Sequence, residues 1–357
     1  MNERSIKPER PLLQKVIDKC SKLNIPAQVV LELTYRCNLR CVHCYVDLDG
    51  NDELTSVEYK RVLDQLKAAG TIFLLFTGGE IMVRNDFLEI AAYARYKGFI
   101  PGFLTNCTLV TPEISRALAK LRPFSVTTSL YGATPATHES VTLVPGSFER
   151  TLEGIKLLVS AGVVPIVQTL IMKTNLNEVT QIKTLVERLG AEARISMDIT
   201  PSKTGADFPF RYEAEGEELA GCHWNPDILE SIDDAGPGPC KAGKAICSIS
   251  PQGNVFPCPM FPLKLGNVKQ SSFDSIWHLQ PCAELRSIRS ITRSDFDICN
   301  TCQLRAYCHR CSGVAYLESG HADAPSPSAC RQAQARYRLS QLKEVKVCQK
   351  SIAKKPT

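Results

Sequence analysis

Eleven of the sixteen cysteines fall into two groups whose spacing suits metal or cluster ligation. The first group is Cys37, Cys41 and Cys44, in the run Thr34-Tyr-Arg-Cys-Asn-Leu-Arg-Cys-Val-His-Cys-Tyr45, a C-x3-C-x2-C pattern. Three thiolates this close can grip three irons of a cubane cluster and leave one iron open to a substrate or cofactor. A structural zinc would instead want four closed ligands, and His43 would supply the fourth. The second group is Cys240, Cys247, Cys258, Cys299, Cys302, Cys308, Cys311 and Cys330, enough for two complete four-thiolate sets. Closed clusters suit electron transfer or holding a fold, and a pair of structural zinc sites is the rival reading. The remaining five, Cys20, Cys107, Cys222, Cys282 and Cys348, stand apart and read as inert small side chains.

The elements that must position these thiols alternate from Val29 to about Arg211. Short β-rich runs lie at Val29–Leu33, Ile72–Phe76, Gly102–Leu104, Ser125–Ser129, Val164–Ile171 and Arg194–Ile199. Helical periodicity lies between them at Ser56–Ala69, Asp86–Lys97, Pro112–Leu121, Ser147–Ala161 and Glu178–Leu189. Gly70, Gly98, Gly162 and Gly190 each follow a helix, where a left-handed C-cap is wanted. Six strands alternating with helices predict a parallel α/β architecture, and periodicity alone admits an open barrel or a doubly wound sheet. A helix over Leu12–Leu23 precedes the first strand, within a lead-in of residues 1–28. The rhythm fades from Asp207 and gives way, after an α/β unit of residues 29–211, to a linker at 212–239 ending in Gly236-Pro237-Gly238-Pro239. A Cys-, Gly- and Pro-rich segment follows at 240–335, then a C-terminal helix and tail at 336–357, with helical pattern from about Ser328 to Val347. A segment with so little regular apolar pattern is expected to organise around metal.

Composition narrows the class. The chain is 44% hydrophobic and 22% charged, with a formal charge of +5, so nothing points to a nucleic-acid binder. Met1–Arg10 lacks the apolar core of a secretory signal. The apolar stretch Ile155–Met172 is broken by Lys156, Ser160, Pro165 and Gln168, so no membrane span is expected. The reading is a cytoplasmic protein, where thiols stay reduced and cysteine clusters mean metal or redox chemistry.

The first cysteine motif, with aromatic His43 before its last cysteine, resembles that of the radical S-adenosylmethionine (SAM) superfamily. Thr77-Gly78-Gly79-Glu80, at the end of the second strand, resembles the family turn that runs beside the methionine end of SAM and binds its ammonium. Glycines there let backbone carbonyls approach a ligand closely. The resemblance assigns further SAM contacts to Asn106 of Thr105-Asn106, to Ser129 of Ser129-Leu-Tyr-Gly132, and to Gln168 on the fifth strand. The sequence departs from the family at Ile81, where proline often follows the glutamate, at Cys107, where glycine often follows the asparagine, and at Thr142, where many members carry arginine.

The second group resembles the SPASM domain, with x2 between Cys308 and Cys311 where the family usually has x3. The resemblance implies a partial (β/α)6 barrel followed by a small Cys-rich domain, and three 4Fe–4S clusters: one binding SAM and two auxiliary. One auxiliary cluster would take Cys240, Cys247, Cys258 and Cys311, and the other Cys299, Cys302, Cys308 and Cys330. The implied activity is reductive cleavage of SAM to methionine and a 5′-deoxyadenosyl radical that abstracts hydrogen from a substrate. The expected substrate is a peptide or protein, most simply a ribosomal peptide receiving a thioether or other crosslink, or a related oxidation. A separate leader-recognition protein is an expected partner, because the short lead-in cannot form a core of its own. Flavodoxin or ferredoxin would supply electrons. The alternative is a small-molecule enzyme related to the haem-pathway members or to cofactor biosynthesis. A formylglycine-generating maturase ranks lower, since Pro259 stands where those enzymes carry an aspartate base, and so does a non-catalytic metal scaffold. Asp198, at the end of the sixth strand, is the candidate for a catalytic base.

Overall fold

In the computed structural model, which describes residues 12–46, 52–214, 218–219 and 240–352, the alternating half folds as its periodicity predicts. Most of the expected linker, Cys222, residues 1–11 and the Lys354-Lys355 tail lie outside the described residues. A first helix α1 (Leu12–Lys22) leads into six strands: β1 (Gln28–Thr34), β2 (Phe73–Gly78), β3 (Ile100–Leu104), β4 (Ser125–Ser129), β5 (Ile166–Leu170) and β6 (Glu192–Ser196). All six pair in parallel, each with its neighbour in sequence. The crossovers are α2 (Ser56–Ala68), α3 (Phe87–Tyr96), α4 (Pro112–Leu121), the pair α5 (Pro135–Thr142) and α6 (Ser147–Ser160), and α7 (Val179–Arg188).

Local chemistry sets these boundaries. Thr55 caps α2 in a reciprocal capping box with Glu58, and Thr111 and Thr134 cap α4 and α5 ahead of a proline in the first turn. The helix α5 is absent from the periodic pattern, and it marks the first difference from expectation. Eight residues carry too little amphipathic signal, although the Thr134-Pro135 start is a legible cap.

The sheet's two faces divide the labour. Val29, Leu31, Leu33, Leu74, Phe76 and Phe103 are fully buried toward the helices. Each such side chain contributes about 1.5–3 kcal/mol by burial, so this face carries the stability. The alternate residues, Glu32, Thr77, Leu104, Thr127, Ser129 and Gln168, project to the opposite face, where polar groups collect.

The second difference is in the Cys-rich half, which adds to the same sheet. Strand β7 (Ile246–Ile249) pairs in parallel with β1, and β8 (Asn254–Phe256) and β9 (Gly266–Asn267) follow antiparallel, giving the order β6-β5-β4-β3-β2-β1-β7-β8-β9. Phe273, Trp277 and Leu285 join the core built on β1. Short helices α8 (Ala283–Ser290), α9 (Asp297–Asn300) and α10 (Ser312–Ser319) precede the long α11 (Pro327–Ile352). No described helix is long and apolar enough to cross a membrane.

Candidate active site

Parallel strands deliver their C-terminal ends to one edge of the sheet, where loops meet. A cavity of about 250 Å³ opens there. Its lining brings together Cys37, Cys41 and Cys44 from the loop after β1, Gly78 and Gly79 after β2, Asn106 after β3, Ser129 ending β4, and Gln168 on β5. Ser129 and Gln168 are direct partners across the β4–β5 ladder. Burial lifts the thiol of Cys41 to about 12, and Cys44 and Cys37 add to the rise; burial also raises Cys37. Tyr131 is half-buried beside the same thiols; desolvation raises its phenol and the thiols raise it further.

The turn Gly78–Glu80 is stitched to the start of the cysteine loop. Gly79 N–H donates to the Thr34 carbonyl (2.7 Å) and Glu80 N–H to the Arg36 carbonyl (2.9 Å). A Cβ on Gly78, whose φ is +140°, would lie 2.1 Å from the Thr34 oxygen, and one on Gly79 would lie 2.3 Å from the Arg36 oxygen. The glycines are therefore demanded by the contact of two backbones as well as by any ligand.

Glu80 is placed differently from the expectation of a SAM contact. Its side chain is absent from the cavity lining and fully buried. It accepts from the N–H groups of Asn106 (2.7 Å) and Met82 (3.0 Å) and from the Thr105 hydroxyl (2.9 Å). It thus ties the end of β2 to the end of β3. Asn106 in turn donates to Asn38 Oδ1 (2.9 Å) and accepts from Thr108, so its amide orients the cysteine loop. Cys107 adopts φ +62°, a left-handed conformation that explains why glycine suits this position. Thr142 lines the cavity, and its carbonyl accepts from Arg40 N–H (3.0 Å), so α5 buttresses the cysteine loop.

Two histidines complete the wall. His43 packs edge-on against Tyr131, with ring centroids 4.8 Å apart, and burial lowers its pKa to about 4. His138 accepts from the Tyr131 N–H through Nδ1 (3.2 Å), which leaves the proton on Nε2, and burial holds it near 4 as well. His43 Nδ1 and His138 Nε2 are both buried without a hydrogen-bond partner. An unpartnered buried polar atom costs about 1–3 kcal/mol, so this wall fits a polar ligand that completes it. Sequence reasoning missed His138, whose signal was its place four residues into the capped α5.

The C-terminal cysteines form two separate gatherings. Cys308 and Cys330 lie among Cys299 and Cys302, which raise both thiols beyond the effect of burial. Cys240 and Cys258 are raised by burial and then by neighbouring thiols, Cys311 acting on both and Cys240 on Cys258. Cys247 does not join them. It sits on β7 opposite Val29, fully buried in the main core, and this corrects its expected place in the first auxiliary set. Among the described residues, no three His, Cys, Asp or Glu donors converge closely enough for a single metal ion.

Tyr45 stands between the two ends. Burial raises its phenol most, followed by Glu32, Cys44 and Cys258. Glu32 is itself buried, ion-paired with Lys203 and accepting from the Tyr35 hydroxyl (2.9 Å). A charged residue in the otherwise apolar run Val29–Leu33 was the available signal.

Asp198 is the clearest displacement. Its carboxylate pairs with buried Arg336 on α11 and accepts from Ser196 Oγ (3.2 Å), with His309 Nδ1 at 2.9 Å. Burial lowers Arg336 to about 10, and Asp198 is the carboxylate that pairs with it. Asp198→Ala should therefore cost about 3–5 kcal/mol in denaturant unfolding, because it strands a buried guanidinium. Adding Arg336→Met should recover most of that loss, and SAM cleavage by the folded fraction should persist.

The comparisons with known proteins agree with this geometry. Residues 31–186 match the family model described as the Radical SAM superfamily, and residues 240–303 match that of an iron–sulfur cluster-binding domain, SPASM. The AdoMet-dependent heme synthase of Methanosarcina barkeri is 30% identical over 334 residues, covering 83% of this chain and 94% of that protein. The mycofactocin maturase MftC of Mycobacterium tuberculosis is 31% identical over 280 residues, covering 71% of each. The fold also matches that of Streptococcus suis SuiB bound to the precursor peptide SuiA, with a TM-score of 0.68 at 17% identity over 89% of this chain and 79% of that one. A strand-end cavity with a C-x3-C-x2-C loop, matched family models and a full-length relative thus place the chain in the radical SAM superfamily, in the subgroup that carries a SPASM domain.

Proposed function

We propose that the chain is a radical SAM peptide maturase. Cys37, Cys41 and Cys44 would hold the SAM-binding cluster, and the C-terminal cysteines would hold two auxiliary clusters. The observation that carries the radical chemistry is the single cavity where the three thiols, the Gly78-Gly79 turn, Asn106, Ser129 and Gln168 meet. With SAM bound, the cluster supplies one-electron cleavage of the sulfonium and a 5′-deoxyadenosyl radical able to abstract hydrogen. This chain's residues orient and enclose: Glu80 and Asn106 fix the cysteine loop, and neutral His43 and His138 wall the cavity, each with one unpartnered ring nitrogen, that of His138 a donor.

Peptide maturation is favoured by the likeness to MftC and to the subtilosin biosynthesis protein AlbA of Bacillus subtilis, 28% identical over 302 residues. A second reading, modification of a tetrapyrrole or other small molecule, is favoured by the coverage of the heme synthases, 94% of one and 90% of another. The deciding experiment incubates reduced, reconstituted protein with SAM and either a small Cys-rich peptide, with and without a leader-binding protein, or an iron-porphyrin precursor. Peptide-dependent 5′-deoxyadenosine with a peptide mass loss of hydrogens is the expected result. Turnover of the porphyrin with no response to any peptide selects the second reading. Metal analysis should give about 12 iron and 12 sulfide per chain.

A further inference from the structure

We propose that one auxiliary cluster is held by only three thiolates, those of Cys240, Cys258 and Cys311, and keeps one iron corner for an exchangeable Lewis-basic ligand. The inference rests on the iron–sulfur reading above and concerns which side chains can reach the cluster.

The register of β7 excludes Cys247. Cys247 lies opposite Val29 and Ile249 opposite Leu31, and all four are fully buried in the core they share with Trp277 and Leu285. Side chains alternate faces along a strand, so turning Cys247 to the other face means a one-residue slip. That slip would also pull Ile249 out of the core. Arg289 is the charged group that acts on Cys247.

The other three converge independently of Cys247. Cys240 and Cys258 pack against one apolar patch that contains Phe261 and Ile288. Gly313 on α10 lies so close to the chain after Cys258 that a Cβ there would sit 2.6 Å from the Met260 carbonyl. This sets Cys311, which precedes α10, beside Cys258, while Cys240 and Ser312 line one small void. Three thiolates ligate three irons of a cubane, so the fourth iron has no cysteine. Such a corner takes a thiolate, imidazole or carboxylate from a substrate, which a closed set cannot do. Tyr45 is the nearby phenol that senses Cys258.

The test uses the full chain with Cys37, Cys41 and Cys44 all changed to Ala, so that only the auxiliary sites load. Reconstituted anaerobically, it should hold about 8 iron. Adding Cys247→Val or Cys247→Ala should leave the iron content and the reduced electron paramagnetic resonance spectrum unchanged, while Cys258→Ala should remove about 4 iron. Cyanide or imidazole should shift the signal of one of the two clusters, and Tyr45→Phe should leave that shift intact. Loss of about 4 iron in both Cys247 variants, with native circular dichroism, would overturn the proposal. So would cyanide and imidazole leaving both signals unmoved, or a changed signal on Tyr45→Phe alone, which would mean that the phenol closes the corner. A background variant that holds no iron would instead overturn the iron–sulfur reading itself.

Discussion

Replacing Cys37, Cys41 and Cys44 together by Ala is expected to abolish reductive SAM cleavage while leaving about two-thirds of the iron in place. The loss in 5′-deoxyadenosine should be roughly a thousandfold or more, at least about 4 kcal/mol of barrier at 1.4 kcal/mol per decade. The variant should still fold, because the loop bearing these thiols lies outside the core that β1, β2 and their helices share with Trp277 and Leu285. Iron analysis and chromatographic detection of 5′-deoxyadenosine, with dithionite and SAM in excess, read the two quantities separately. Continued 5′-deoxyadenosine formation would remove the catalytic assignment from this loop. Loss of all the iron would overturn the reading of the C-terminal thiols as auxiliary cluster sites.

Gly79→Ala should weaken SAM binding, although it removes no ligand. Its new methyl group would meet the Arg36 carbonyl oxygen at 2.3 Å and carbon at 2.8 Å, and neither backbone atom can move aside alone. The turn must separate from the cysteine loop, which breaks the bonds from Gly79 N–H to Thr34 and from Glu80 N–H to Arg36. Two backbone hydrogen bonds are worth about 1–1.5 kcal/mol each, so affinity for SAM should fall roughly 30- to 150-fold. Equilibrium binding to the reconstituted protein measures this, and iron content should stay near the parent value. Unchanged affinity would mean that the turn moves freely of the loop.

The framework of the molecule was legible because it depends on local pattern. Apolar runs with helices between them place β1–β6 and every crossover helix but α5 to within a few residues, and threonine caps with proline mark the starts of α4 and α5. The cysteine spacing likewise points to ligation, since short-range spacing limits what three thiols can reach. What stayed hidden depends on register and on distant partners. Nothing local to Ile246–Ile249 says that it pairs with β1, and without that partner the face presented by Cys247 is undetermined. Asp198 sits after a strand in a barrel-like pattern, but its role as the partner of Arg336 needs α11 to fold back across the sheet's end. Glu80 is similar: a family turn names it, and only the three-dimensional contacts with Thr105 and Asn106 show where its carboxylate is spent.

The pairing of β7 with β1 also bears on how the chain reaches its native state. Gln28 and Ile246 lie at opposite ends of a long intervening stretch, so β1 leaves the ribosome with one edge that nothing will cover until most of the chain has been made. Its neighbour β2 arrives early, but the other edge stays open through synthesis of the whole alternating half. An apolar strand with a bare edge is a template for the wrong partner. Closing a contact this distant in sequence is slow, although each doubling of the loop adds only about 0.6 kcal/mol. Production of the alternating half alone should therefore yield aggregates, and supplying the Cys-rich half as a separate chain during refolding should rescue it by capping β1.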